Sequence, residues 1–448
     1  MEKLNCFKAY DIRGKVPSEL NPDLAYKIGR SFAKYVNAKK VVVGYDVRQS
    51  SLDICNALIN GLTDAGSDVV NIGLCGTEMI YFSTPYLNAD GGIMITASHN
   101  PPEYNGMKFV KRESVPVGYD SGLNIVEEMI LKNDLGEITS SKGKVEELDV
   151  MNAFIDNLSK FYDPKKIKPF KVVVNAGNGC AGLAVDAIES RLPIKMIKLF
   201  NEPDSQFPNG VPNPLLVENR KPTIDAVLKN NADLGVAWDG DYDRCFFFDE
   251  KGNFIEGYYI VGLLAKSILK NFPGERIVHD PRLIWNTLDV VEHSRGVAVQ
   301  SKSGHAFIKQ KMREVNSIYG GEMSAHHYFR DNAYSDSGMI PFLLIMQLMS
   351  EEDKTLSDLV EEMIANYPCS GEINSTISDP AGKINEIEKL YTGGKVDKTD
   401  GLSVEYDDWR FNLRMSNTEP IIRLNVESKG DVLLMEEKTK ELLDIIRA

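Results

Sequence analysis

No stretch of this chain is apolar for long enough to cross a bilayer; the longest run, around Ile340–Met349, is too short and too polar. The opening residues, MEKLNCFKAYDIRG, lack the apolar segment of a signal peptide, so a cytoplasmic protein is expected. There is no Cys-x-x-Cys pair. Cys6, Cys55, Cys75, Cys180, Cys245 and Cys369 are scattered, which excludes a zinc site or a disulfide framework and fits reduced thiols, several of them small core residues. Positive charge is in deficit, with 51 Lys and Arg against 65 Asp and Glu and a net charge of −14. That balance argues against nucleic acid or an anionic membrane as partner. A phosphorylated ligand can still bind, provided the few cations are gathered locally. No segment is low-complexity.

What is present is a long globular sequence. At 448 residues, 43% hydrophobic and 26% charged, it is too long for one core, and about two to four domains are expected. A short extended segment, Phe7–Gly14, leads to a helix from about Asp23 to Tyr35. A theme then begins: Val41–Gly44 is a β-branched strand, a helix is expected near Ser50–Ala65, and Asp68–Gly73 is the next strand. The theme restarts at Lys171–Asn175, followed by a helix Ala181–Glu189, and at Arg276–Asp280. Strands alternating with helices predict sheets covered on both faces, in three related α/β domains. Residues 143–168, Lys- and Glu-rich and helical in period, mark the first boundary. The hairpin-like Asp249–Asn253 marks the second, and Tyr367-Pro368, after a helix Leu356–Ala365, the third. The remainder reads as a small α+β domain with strands Leu402–Tyr406, Arg410–Arg414 and Ile421–Glu427 and a last helix, Leu433–Arg447. The predicted domains are 1–150, 151–252, 253–367 and 368–448.

Four loops carry chemistry. Gly91–Lys108 opens as a buried strand, turns small and polar at Thr96-Ala97-Ser98-His99-Asn100, and is stiffened by Pro101-Pro102. Asn105-Gly106 reads as a turn before a second strand, which brings Lys108 back towards Ser98, an exposed loop serine on this reading. There is no G-x-S-x-G around Ser98 and hence no nucleophile elbow. Asp239-Gly240-Asp241-Tyr242-Asp243-Arg244 follows the strand Leu234–Trp238, and three carboxylates so spaced raise one another's pKa unless a divalent cation compensates. An EF-hand is excluded, since Arg244 occupies the position that needs glycine; oxygens alone favour Mg²⁺ over Ca²⁺. In Gly320–His327 a Gly-Gly turn precedes Glu322, Ser324 and His326, donors and acceptors suited to sugar hydroxyls, with His326 and His327 on opposite faces of a strand. Arg414-Met415-Ser416-Asn417-Thr418-Glu419-Pro420 reads as an anion nest or as a plain β-turn, with Arg423 either a second phosphate ligand or a solvated charge.

Together, and in this order, T-A-S-H-N-P, D-G-D-x-D-R, G-E-M-S-x-H and R-x-S-N-T-E-P resemble the pattern of the phosphohexomutases, the phosphomannomutase/phosphoglucomutase superfamily, across almost the whole chain. The resemblance implies three α/β domains and a C-terminal TATA-binding-protein-like domain around a central cleft. It makes Ser98 the phosphoryl carrier and, with Asp239, Asp241 and Asp243, a ligand of Mg²⁺. Glu322, Ser324 and His326 would bind sugar, and Arg414, Ser416, Asn417, Thr418 and Arg423 the substrate phosphate. Tyr10, Arg13, Lys108 and His305 would line the cleft, with His99 and Arg244 beside the serine and Arg282 standing where some members carry lysine. Lys108 is the expected general base, which requires neighbouring cations such as Arg13 or Arg244 to lower its pKa. The run after Ser324 is similar to that of bacterial phosphomannomutases, which implies interconversion of mannose 6-phosphate and mannose 1-phosphate through a hexose 1,6-bisphosphate, on the way to GDP-mannose. Phosphoglucomutase or dual activity, a metal-dependent sugar phosphatase and a non-catalytic sugar-phosphate binder are the alternatives. A monomer or weak homodimer is expected.

Overall fold

The computed structural model describes residues 3–415 and 421–448; Ser416, Asn417 and Thr418 lie outside the described residues. Four domains follow one another along the chain, each built on its own sheet. They group into two compact units, Met1–Phe254 with His326–Asp353, and Ile255–Ala325 with Lys354–Ala448. Among the described residues no helix is long and apolar enough to cross a membrane.

In the first unit, strands Lys40–Tyr45, Asp68–Leu74 and Gly91–Ile95 run parallel, because crossover helices such as Ser51–Asp64 return the chain to the same end of the sheet. Val41, Val42 and Val43 are all fully buried, as expected of a strand covered on both faces. Tyr104–Lys111 turns antiparallel to Gly91–Ile95 and pairs in turn with Ile12–Lys15, setting Arg13 opposite Gly106. Asn105-Gly106 is therefore not a turn. The reversal comes earlier, across residues 98–103, and Gly106 is required by close packing: a Cβ there would stand 2.2 Å from the Ile12 carbonyl oxygen. The 143–168 segment is only partly helical; Val145–Glu147 adds a parallel edge strand before the helix Met151–Leu158.

The second sheet repeats the plan, with Lys171–Asn175 between Lys195–Leu199 and Leu234–Trp238 in parallel and Cys245–Phe248 antiparallel to Leu234–Trp238. The hairpin His327–Phe329 and Ser335–Asp336 and the helix Met339–Glu352 belong to the same unit. Trp238 anchors them, its indole nitrogen donating to the Gly338 carbonyl at 3.0 Å and its ring meeting Phe342 edge-on.

In the second unit, Val297–Gln300, Arg276–His279 and Tyr319–Gly321 run parallel. Gly320-Gly321 ends a strand rather than forming a turn. The C-terminal domain is an antiparallel sheet in the order Ile373–Thr376, Ile421–Ser428, Trp409–Met415, Leu402–Glu405, Lys395–Asp397, with helices Pro380–Leu390 and Val432–Arg447. A buried ion pair joins the two parts of this unit. Arg410 donates to Glu427 at 2.7 Å and also to the carbonyls of Arg282 and Pro281 at 2.8 and 3.0 Å, so the loop carrying Arg282 is held by fully engaged charges.

Candidate functional site

The loops that leave the carboxyl ends of the parallel strands carry the chemistry-bearing residues, as in open α/β sheets generally. Those of the first unit form one buried cluster. Ser98 is only 4% exposed, not the exposed loop serine expected, and has the left-handed backbone (φ +50°) that serine adopts only when its surroundings impose it. Its hydroxyl donates to Asp239 at 2.8 Å and lies 3.0 Å from His99 Nδ1. Arg244 closes the group, donating to Asp239 at 2.6 and 2.8 Å and approaching the Ser98 oxygen at 3.4 Å, with His99 Nδ1 as a further acceptor. The two loops meet because Gly240 has no side chain: a Cβ there would lie 2.5 Å from the Ser98 carbonyl oxygen.

Lys108 donates to Asp241 at 2.6 Å and to Asp243 at 2.5 Å, and Thr77 also donates to Asp241. Burial opposes charge on this lysine, but the two carboxylates outweigh it and hold the ammonium above its usual range. That direction is opposite to the one a general base needs. The expected cations are not what surrounds Lys108, since Arg13 is taken by Asp11 and by Asn100 at 2.5 and 2.7 Å and Arg244 by Asp239. Burial, with Arg244 and Arg13 nearby, drives His99 well below the usual imidazole range, so it stands neutral. Burial pushes Asp239 up to about 7 despite Arg244.

The three aspartates bring oxygens within 4.8 Å of one another, and Asp241 Oδ1 is buried without a hydrogen-bond partner. Three carboxylates against the two cations Lys108 and Arg244, all oxygen donors, with one lone pair set left unmet, fit a hard divalent cation. His326 Nε2 lies 3.7 Å from Asp243, and with Asp336 extends the acidic group; His327 is fully buried, and burial drops its pKa to about 3. Tyr10 is half-buried just before Arg13.

The second unit holds a different cluster. Arg282 is gripped by Asp280 through two 2.9 Å bonds and reaches Glu322 and Ser324 at 3.4 and 3.3 Å. Glu322 also accepts from the Gly304 amide at 2.7 Å, which fixes the start of the helix His305–Val315 and so places His305 beside it. Arg414 and Arg423 meet on Glu372 at 2.8 and 3.3 Å.

Two residues of these clusters belong to none of the four sequence motifs. Arg48, 3% exposed, donates to four carbonyls of the serine loop: Ser98 at 2.8, Asn100 at 2.6, Pro101 at 2.8 and Tyr104 at 3.0 Å. A buried charge soon after a strand end, in Asp46-Val47-Arg48, was the available hint. Glu372 offered none.

Four family models match in succession: phosphoglucomutase/phosphomannomutase domain I over residues 4–136, domain II over 152–252, domain III over 256–367 and the C-terminal domain over 372–443. The chain is 54% identical to a phosphomannomutase of Escherichia coli strain K12 over 454 residues, covering 100% of both. It is 51% identical to the phosphohexose mutases of Xanthomonas campestris strain B100, covering 99% of each. A crystal structure of a phosphoglucomutase/phosphomannomutase family protein from Burkholderia thailandensis matches with TM-score 0.88 at 29% identity, covering 100% of this chain and 98% of that one.

Proposed function

This chain belongs to the phosphoglucomutase/phosphomannomutase family, and we propose that it interconverts mannose 6-phosphate and mannose 1-phosphate by phosphoryl transfer through Ser98. It is an isomerase acting on hexose phosphates. One observation carries the residue assignment: a strained, buried serine hydroxyl held at 2.8 Å from Asp239, with Arg244 over the same carboxylate. A serine spends backbone strain to be there, and phosphoryl transfer rewards position above all.

Asp239, Asp241, Asp243 and the Ser98 oxygen would hold Mg²⁺, which when bound offsets the charge of the phosphoryl oxygens. Arg244 is placed to donate to the same oxygens, and neutral His99 to hold the guanidinium in line through Nδ1. Phosphorylated Ser98 gives its phosphoryl group to the free sugar hydroxyl; the hexose 1,6-bisphosphate then turns end for end and returns its other phosphoryl group to Ser98. Lys108 acts here as the counter-charge to Asp241 and Asp243, paired with them at 2.6 and 2.5 Å. In the second unit Glu322 and Ser324 bind sugar hydroxyls, and Arg414 and Arg423, with Ser416, Asn417 and Thr418, bind the phosphate that is not reacting. Product analysis by NMR, from mannose 1-phosphate and from glucose 1-phosphate, with and without glucose 1,6-bisphosphate, tests the activity and the sugar preference. Release of inorganic phosphate in place of isomerised sugar would sink the proposal.

A further inference from the structure

Three guanidinium groups of the second unit surround a single carboxylate. Glu372 accepts from Arg414 at 2.8 Å, from Arg423 at 3.3 Å and from Arg282 at 3.4 Å. Arg282 does not depend on it, being held by Asp280 through both faces of its fork. Arg414 and Arg423 do. They are direct cross-strand partners in the antiparallel sheet, where like charges repel at the closest approach two strands allow. Glu372 supplies the anion that makes this pairing tenable, and the burial that opposes its charge is outweighed by the arginines, which draw its pKa down to about 2. It stands just before the strand Ile373–Thr376 and just after Gly371, whose φ is +66°. One nitrogen of each of these guanidinium groups is thus already engaged by a carboxylate of the same chain.

Resting on the reading of this cluster as the phosphate site, we propose that Glu372 is an internal competitor of the substrate phosphate. To bind, the phosphate takes Arg414 and Arg423 from the Glu372 carboxylate; to leave, it hands them back. A site of bare arginines would hold the bisphosphate at whichever phosphate arrived first. With Glu372 ready to re-engage both side chains, letting go leaves no unpaired guanidinium, so the intermediate can release one end and offer the other. Glu372 is a positioning residue in this scheme, setting affinity through the arginines without touching the reacting atoms.

The experiment compares the full-length Mg²⁺-loaded enzyme with Glu372→Gln and Glu372→Asp, measuring inorganic phosphate binding by calorimetry and kcat and KM for mannose 6-phosphate. Removing one competing charge in direct contact with the ligand's donors should tighten phosphate binding by about tenfold in Glu372→Gln. KM should fall with it, and kcat should fall as well because the intermediate turns more slowly. Glu372→Asp, which keeps the charge but withdraws it by one methylene, should lie between, and serves alone if the glutamine variant does not fold. A purely structural Glu372 would disorder the arginines and raise KM, so weaker or unchanged phosphate binding overturns the proposal. Arg414→Ala separates the two layers. If it leaves phosphate affinity unchanged, the phosphate-site reading fails and this proposal with it; if it weakens binding while Glu372→Gln does not tighten it, only the competitor role fails.

Discussion

In the first unit two buried cations, Lys108 and Arg244, stand among three aspartates; in the second, three arginines stand around Glu372, with Asp280 and Glu322 alongside. The first set is short of positive charge by one and leaves a carboxylate oxygen of Asp241 unmet, which suits a cation as guest. The second is balanced, three against three, and suits an anion only by exchange. The first set is the more deeply buried, its side chains 0–7% exposed against 16–29% for Arg414, Arg423 and Glu372, yet depth alone does not say which ligand a charged pocket takes. The charge count does. The first set is left short of positive charge, while the second is neutral.

That contrast can be broken most severely at Ser98. Ser98→Ala should lower kcat on the order of 10⁴-fold, with the thermal midpoint moved only by the loss of one hydrogen bond, about 1 kcal/mol. Mass spectrometry of the Thr96–Lys108 peptide should show a phosphoryl increment in part of the native protein and none in the variant. Substantial residual turnover would remove Ser98 from the mechanism. Asp241→Ala comes next, because it deletes the unmet oxygen and one partner of Lys108 together: Mg²⁺ should bind roughly 100-fold more weakly, read by metal titration of turnover. The wild-type enzyme should stop in EDTA and recover with Mg²⁺; full activity in EDTA would refute the cation site.

Arg48→Lys sharpens the comparison from beneath the loop. Lysine cannot span four carbonyls, so the serine shifts and kcat should drop by about 100-fold with KM unchanged. In the second unit the signature reverses: Arg414→Ala should raise KM by roughly ten- to a hundredfold, from the loss of one charge-assisted contact. Its turnover should fade as bisphosphate escapes and return when glucose 1,6-bisphosphate is added; a steady rate at unchanged KM would move retention to Arg423 or Arg282. The smallest effect is on stability. Glu372 titrates near 2 when folded against 4.5 when free, so its contribution is complete above pH 4.5 and is lost as pH falls towards 2. The advantage of wild type over Glu372→Gln, roughly 2–3 kcal/mol, should narrow across that window in calorimetric scans, and a constant gap would contradict it.

The strands were readable wherever β-branched residues run together, as at Val41–Val43 and Val172–Val174, because covered parallel strands leave no polar alternation to confuse the pattern. Glycine misled twice. At Gly106 and Gly320-Gly321 it serves close packing inside strands, a cause that local sequence does not distinguish from a turn. The site was legible in its motifs but not in its electrostatics. Ser98 and Asp239 are far apart in sequence and meet only through the sheets, so the bond between them, the burial of Ser98 and the partners of Lys108 could not be read from spacing. Arg48 and Glu372 were missed for the same reason: each acts through contacts that depend on where distant backbone passes, and neither sits in a pattern with a chemistry of its own.

The four carbonyls that Arg48 gathers have a consequence for how Ser98 can become charged with phosphate at all. Proteins that act on other proteins' segments commonly take them as extended chain, adding them to a sheet edge. Ser98 itself is buried and left-handed, and its loop is tied at both ends by a single guanidinium, so the loop cannot be drawn out in that way without unpairing a buried charge. The same tie that holds the serine loop in place thereby opposes its being taken up as an extended strand. On the mechanism proposed above, phosphate would reach and leave this serine on small sugars.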